Sequence, residues 1–332
     1  MIKLAIDAMG GDYAPKEIVE GINLALKEYK NVEFHIFGNE ALIKQHLTAS
    51  KQVKIYHTEE FLDMGEKDPF YQYRHHQDVS LFKAMRFIKE GNAQGLVTAG
   101  PTQCVIVGGI FTIKRMPGMS KVAIAPIIPT ANGIPRILLD CGANVDAKAE
   151  HLVEFSIYAS NVIKALYNLD NAKVGLLNIG TEEGKGRDLD NEAYTLLQNN
   201  EAINFMGNIE PKEIFTTEAN VLVSDGFTAN IVLKTIEGTA KGIGNILKKA
   251  LTRNLISKLA TALFLKGSIR QFKKALDPNE VGGAMIIGLN SVVVKAHGSS
   301  DAYAFKNAIK QAIRMIKEDV IMKVEKQLNQ PK

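Results

Sequence analysis

The chain has 332 residues, 46% of them hydrophobic and 23% charged, the balance of a compact globular protein with one large α/β domain or two ordinary ones. Its two cysteines, Cys104 and Cys141, are far apart and in no Cys-x-x-Cys pattern, which argues against a disulfide framework or a zinc site and suits a reducing cytoplasm. The start runs straight into a strand pattern with no signal-peptide core, and no uncharged apolar run approaches the ~20 residues of a spanning helix.

Short β-branched runs alternate with segments of helical period. In chain order the expected elements are strand Ile2–Asp7, helix Pro15–Tyr29, strand Val32–Phe37, helix Glu40–Leu47, strand Val53–His57 and helix Ser80–Glu90. Strands Gly95–Thr98, Val122–Ala125 and Ile137–Asp140 follow, then helix Ala149–Leu166, strand Val174–Asn178 and helix Asn191–Leu197. Strands Ile203–Met206, Val221–Ser224, Ala284–Ile287 and Val292–Lys295 precede a last helix, Ser299–Gln327. This order predicts the α/β class, a three-layer, largely parallel twisted sheet with helices on both faces. With no internal repeat or Pro/Ser-rich linker, residues 1–332 are expected to form one unit of two intimately packed lobes.

The net charge of +4 is unevenly distributed. Residues 241–276 hold nine Lys or Arg and no Asp or Glu, so removing those nine charges leaves the rest of the chain at −5. The segment has helical period, with Leu247, Leu251, Leu255, Leu259 and Leu263 on one stripe and Arg253 among the cations on other faces. An apolar centre containing Leu259, Leu263 and Phe264, then Lys266, precedes a second basic stretch, so a protruding basic helical hairpin is expected over 241–276. Three uses are open: its tip meets an anionic membrane surface, it docks an acidic protein such as acyl carrier protein, or it packs on the core or a second subunit.

Ligands of open parallel sheets bind beyond the carboxyl ends of the strands, and here those ends are glycine-rich and polar. They are Asp7-Ala8-Met9-Gly10-Gly11-Asp12, Thr98-Ala99-Gly100, Asp140–Asn144, Asn178–Gly186, Ser224–Asn230 and His297-Gly298-Ser299-Ser300-Asp301. Glycine allows close backbone approach and a following helix offers N–H groups to an anion, so six such loops favour a phosphate-rich ligand. The competing reading of each loop is an ordinary helix cap.

Familiar signatures fail. Gly-x-Gly-x-x-Gly does not follow the first strand, Gly180–Gly186 is one residue short of a P-loop, and no Gly-x-Ser-x-Gly elbow exists. His75-His76 has no carboxylate or cysteine at ligand spacing and reads as an exposed polar turn, so no metal is expected. Cys104 and Cys141 read as buried small residues rather than nucleophiles.

Taken in order, these loops resemble the phosphate acyltransferases of bacterial phospholipid synthesis, the PlsX family. The resemblance is carried by Ile6–Asp12 with Ala14-Pro15, Leu139–Asp146, Gly175–Gly180 with Glu182-Glu183 and Lys185-Gly186, Gly207–Glu210, Val223–Thr228, Gly282–Ala284 and His297–Asp301. Two stretches differ from the family's pattern. Thr98–Cys104 carries Pro101 and Gln103 where the family generally has Asn and Gly, and Arg74–Ser80 lacks two of its lysines and a serine.

The resemblance implies a fold like that of phosphate acetyltransferases and isocitrate-type dehydrogenases. It implies transfer of a long-chain acyl group from acyl carrier protein to inorganic phosphate by a cytoplasmic homodimer loosely associated with the membrane. No organic cofactor and no nucleic-acid partner are implied, and a membrane acyltransferase would pass the acyl group to glycerol 3-phosphate. Within that frame Lys185 and the Ser299/Ser300 helix start are expected to hold phosphate, His297 to donate a proton to the departing thiol, and Asp225 to orient a ligand or a basic group. Gly10, Gly11 and Gly226 would give close backbone approach, and Asp7, Asn178, Thr228 and Asn230 complete the candidate substrate contacts. Alternatives are a short-chain enzyme using coenzyme A and an inactive membrane-bound or carrier-binding partner.

Overall fold

A computed structural model describes residues 1–328 apart from 129, 131, 132, 255–258, 260, 266, 268–279 and 281. All eleven expected strands form, within three residues of their expected bounds. They are β1 (Ile2–Asp7), β2 (Val32–Gly38), β3 (Val53–His57), β4 (Gly95–Thr98), β5 (Ala123–Ile128), β6 (Arg136–Leu139), β7 (Lys173–Leu177), β8 (Asn204–Ile209), β9 (Val221–Val223), β10 (Gly283–Ile287) and β11 (Val292–Ala296). They make one sheet in the order β3-β2-β1-β4-β11-β10-β5-β6-β9-β7-β8. Central strands buried on both faces read as unbroken apolar runs, which is why the sequence marks them clearly.

The sheet contains two parallel blocks. β3, β2, β1, β4 and β11 pair in parallel, as do β6, β9, β7 and β8. Between them β10 runs antiparallel to both β11 and β5, and β5 antiparallel to β6. The two blocks therefore run in opposite senses and send their carboxyl ends to opposite edges of the sheet.

Helices cover both faces. On one side lie α1 (Lys16–Glu28), α6 (Ala149–Tyr167), α7 (Asp188–Gln198), α9 (Ala302–Lys317) and α10 (Val320–Leu328), each burying an apolar stripe in a shared core. On the other lie α4 (Ser80–Lys89), α5 (Thr102–Gly108) and the start of α8 (Gly226–Leu251), over a second core. The helices α2 (Glu40–Lys44) and α3 (Pro69–His75) are short.

The structure corrects several expectations. His75 ends a helix, α3, instead of lying in a polar turn, because Asp68 accepts the Tyr71 N–H and Pro69 opens the first turn. Pro101 closes the β4 loop by opening α5, where its missing N–H costs nothing, and Gln103 points to solvent. The last helix is two, divided at Asp319, whose φ of 49° ends α9 before α10 begins. The first arm of the expected hairpin is not a separate unit but the outer half of α8, a 26-residue helix capped at Asp225. Lys266, Leu255 and most of the second arm lie outside the described residues. No helix among the described residues is long and apolar enough to cross a membrane.

Arg136 in β6 is wholly buried, and its guanidinium donates to the carbonyls of Ala219, Ile214 and Thr217, pinning the turn that feeds β9. Burial pulls its pKa down to about 10, and with carbonyl partners on three sides it stays charged at neutral pH. Arg136→Met removes these charge-assisted bonds and should lower unfolding free energy by about 3 kcal/mol in urea titrations. A loss below about 1 kcal/mol would contradict this role.

Candidate active site

At one edge, the loops after β1, β4 and β11 are tied together. Asp7, 1% exposed, accepts the Ser80 hydroxyl and the Met9 N–H on Oδ1 and the Thr98 hydroxyl on Oδ2. Burial pushes its pKa up against those hydrogen bonds. Both oxygens are thus committed internally, so Asp7 organises the loops and does not face a ligand as a candidate contact would. Gly10 fits over it because a Cβ there would stand 2.6 Å from the Gly100 N. The next turn joins the β11 loop, with the Asp12 N–H donating to the Gly298 carbonyl at 2.8 Å, and Gly11 faces the same carbonyl.

The β11 loop departs from a bare helix start. The N-cap of α9 is Asp301, which accepts the Ala304 N–H at 2.9 Å, while the Ala302 N–H donates to Glu17 at 2.9 Å. Two carboxylates already occupy that N-terminus, so it offers an added anion less than the sequence suggests. Ser299 instead turns back on His297. Its N–H donates to Nδ1 at 3.2 Å, with its hydroxyl 2.9 Å from the same nitrogen. An accepting Nδ1 leaves the neutral ring's proton on Nε2. His297 is exposed on the whole, yet burial and then the charge of Lys295 push its pKa below the ordinary value of 6.5, keeping the imidazole neutral. Ser300 is 3% exposed, and its hydroxyl has no partner among the described residues.

The second block supplies the other half. Asp140, after β6, accepts the N–H groups of Ile124, Ala143 and Asn144 and the Asn144 side-chain amide. Asp225, after β9, caps α8 through the Phe227 and Thr228 N–H groups and accepts the Thr228 hydroxyl. Gly226 lies against the Asn144 carbonyl, where any Cβ would collide with the backbone, and Asn230 packs against Gly142. Asn178, after β7, pins the loop that carries Lys185 by donating to its carbonyl at 3.0 Å and accepting the Ile179 N–H at 2.8 Å. The Lys185 side chain is exposed.

Arg187 is the residue that ties this loop to α8. Its guanidinium is shared between Asp190, at 2.9 Å, and Asp225. Asp225 therefore does orient a basic group, though one the sequence did not point out. Burial alone would raise the Asp225 pKa, but the Thr228 N–H, Arg187 and the Thr228 hydroxyl outweigh it and hold the carboxyl below its usual value.

α8 brings the halves together. Lys234 and Glu237, two to three turns from its start, lie within electrostatic reach of both His297 and Cys141, so this stretch of helix faces the β6 loop and the β11 loop. Lys295, at the carboxyl end of β11, lies in this cluster and also went unmarked in the sequence. Arg253, Leu259, Leu263 and Phe264 are not part of it. They lie beyond the far end of α8, about 38 Å along its axis from Gly226.

Neither cysteine is a competent nucleophile at neutral pH. Burial raises the Cys104 thiol to about 11 and lifts Cys141 well above its ordinary value. Among the described residues no cluster of three His, Cys, Asp or Glu side chains could hold a metal ion.

This arrangement has known counterparts. The phosphotransacetylase of Streptococcus pyogenes superposes with a TM-score of 0.62 at 20% identity, covering 95% of this chain and 94% of its own. The branched-chain phosphotransacylase of Enterococcus faecalis gives a TM-score of 0.58 at 16% identity, covering 95% of this chain and all of its own. At those identities the likeness concerns the fold. In sequence, a family model described as fatty acid synthesis protein matches residues 2–323. The phosphate acyltransferase of Acholeplasma laidlawii is 52% identical over 326 residues, 98% of each chain. That of onion yellows phytoplasma is 45% identical over all of this chain and 92% of its own. Matches of this extent and identity establish that the chain belongs to the phosphate acyltransferase family and is an acyltransferase.

Proposed function

We propose that the protein transfers a long-chain fatty acyl group from acyl carrier protein to inorganic phosphate, forming an acyl phosphate for phospholipid synthesis. The observation that carries this reading is a set of strand-end loops carrying Lys185, Lys295, His297 and Ser299, with neither cysteine activated as a nucleophile. A phosphate oxygen is itself a competent nucleophile. It attacks the thioester carbonyl, the C–S bond breaks, and the carrier thiolate takes up a proton. The protein's tasks are then to hold a dianion beside the thioester and to stabilise the oxyanion that forms.

The residues divide among these tasks. Lys185, on its pinned loop, and the Ser299–Ser300 turn are the groups assigned to phosphate in this reading. Neutral His297 presents Nε2–H as a hydrogen-bond donor to the developing oxyanion or the departing sulfur. Gly10, Gly11 and Gly226 keep the backbone close, while Asn178, Thr228 and Asn230 fix the loops that line the cleft. We assign no organic cofactor and no metal a role.

The enzyme acts, in this reading, as a cytoplasmic homodimer at the membrane surface, handing its product to a membrane acyltransferase that acylates glycerol 3-phosphate. Support comes from the outer half of α8 and the segment after it. Ile246 is 70% exposed and Phe264 80%, beside a run of cations with no compensating carboxylate. Apolar side chains flanked by cations suit the boundary of an anionic bilayer.

Two outcomes are expected. Supplied with long-chain acyl carrier protein, labelled phosphate and hydroxylamine, the protein should give a phosphate-dependent acyl hydroxamate, and Lys185→Met should raise the phosphate KM about tenfold with kcat little changed. Absence of product from folded protein would overturn the reaction, and an unchanged KM would remove Lys185 from the site. In vesicle sedimentation, Leu263→Glu with Phe264→Glu should abolish binding to anionic vesicles while transfer from the soluble donor continues. Undiminished binding would place the membrane contact elsewhere.

A further inference from the structure

Lys295 occupies an unusual position for a lysine. It is the fourth residue of β11, flanked in register by Thr98 of β4 and Ala284 of β10. Val292, Val294 and Ala296 turn into the core beneath α1 and α9, and Val293 into the opposite core. Alternation along the strand puts Lys295 on the Val293 face, the side over which α8 begins. Strand interiors select against this side chain unless its charge is met.

Its charge is not met by a carboxylate. Nζ donates to the Ala296 carbonyl at 3.0 Å, and among the described residues no Asp or Glu stands within ion-pair distance of it. The charges that face it are Lys234 from α8, Asp12 from the β1 loop and His297 from its own loop. Lys234 is itself held by Glu237 at 2.8 Å, so that carboxylate is already engaged. Two further N–H donors remain on Nζ for a ligand. A lysine that served the fold alone would sit beside a carboxylate, and this half-buried one has none within ion-pair distance among the described residues.

We propose that Lys295 anchors the nucleophilic phosphate, supplying the counter-charge and two hydrogen bonds that fix the dianion under the first turns of α8, next to His297. This rests on the acyl-transfer reading above and deepens it by naming the phosphate subsite. The site takes a tetrahedral oxyanion, and its free cation is compensated when that anion binds.

The proposal carries a pH signature. Burial, followed by the charge of Lys234, lowers the Lys295 pKa to about 8 in the free protein. Phosphate binding favours the protonated lysine, so affinity should be full below that value and fall as pH rises through it. Asp12, Lys234, Glu237 and His297 are the other charged or titratable groups around it, and an arginine in place of Lys295 would stay charged throughout.

The test is calorimetric titration of the whole protein with inorganic phosphate, paired with transfer kinetics. Lys295→Met should raise the phosphate Kd and KM at least tenfold with the KM for the acyl donor little changed. Lys295→Arg should keep most of the affinity and lose its fall above pH 8, measured where phosphate is already a dianion. Unchanged phosphate binding in Lys295→Met, or an unaltered alkaline fall in Lys295→Arg, would overturn the proposal. If Lys295→Met fails to fold, the arginine variant decides. A wild-type protein that binds phosphate through Lys295 but yields no acyl phosphate would sink the reaction and leave the site. Turnover with an unaffected phosphate KM in Lys295→Met would sink the site and leave the reaction.

Discussion

Three carboxylates buried at the carboxyl ends of strands hold the loops of the candidate site in shape. Asp7, Asp140 and Asp225 each give up hydration and recover it through hydrogen bonds from the loops around them. A buried carboxylate is tolerated only when so satisfied, and each satisfied one fixes the backbone that satisfies it. Asp7 binds the start of α4 and the end of β4 to the first loop. Asp140 folds its own loop over β5. Asp225 starts α8 and, through Arg187, draws in the loop carrying Lys185. These anions are consumed in building the loops, while Lys295 keeps no carboxylate within ion-pair distance among the described residues.

The strand arrangement explains why α8 matters. Opposite senses in the two parallel blocks would leave two half-sites on opposite edges of the sheet. A helix that starts at one block's strand end and passes over the seam joins them, and Lys234 with Glu237 marks where it does so. α8 buries little beyond its first turn, with Gly226 and Ala229 its buried residues. Its outer half is free to meet something else, so one element links the chemistry to a surface about 38 Å away.

Much of this was legible in the sequence. Strands buried on both faces appear as valine- and isoleucine-rich runs, and glycines at their ends marked the loops that converge. The missing parts depended on distance along the chain. Nothing near Arg187 announces that Asp225, 38 positions on, is its partner. Lys295 reads as the polar member of a half-exposed strand until its neighbours are seen to be Thr98 and Lys234. The hairpin expected to begin at residue 241 instead starts inside α8, which runs unbroken from a cap at Asp225. Ser299 and Ser300 read as a helix start because Asp301, the actual cap, follows immediately. Asp7 and Asn178 spend their hydrogen bonds on the architecture of their own loops.

The account's central claim is that both blocks contribute to one anion site beneath α8. A crystal structure grown with saturating inorganic phosphate tests it most directly. The account predicts a tetrahedral anion within hydrogen-bond distance of Lys295 Nζ, between the β11 loop and the first turns of α8. Phosphate bound at the α9 N-terminus, or at a site made by one block without the other, would contradict it.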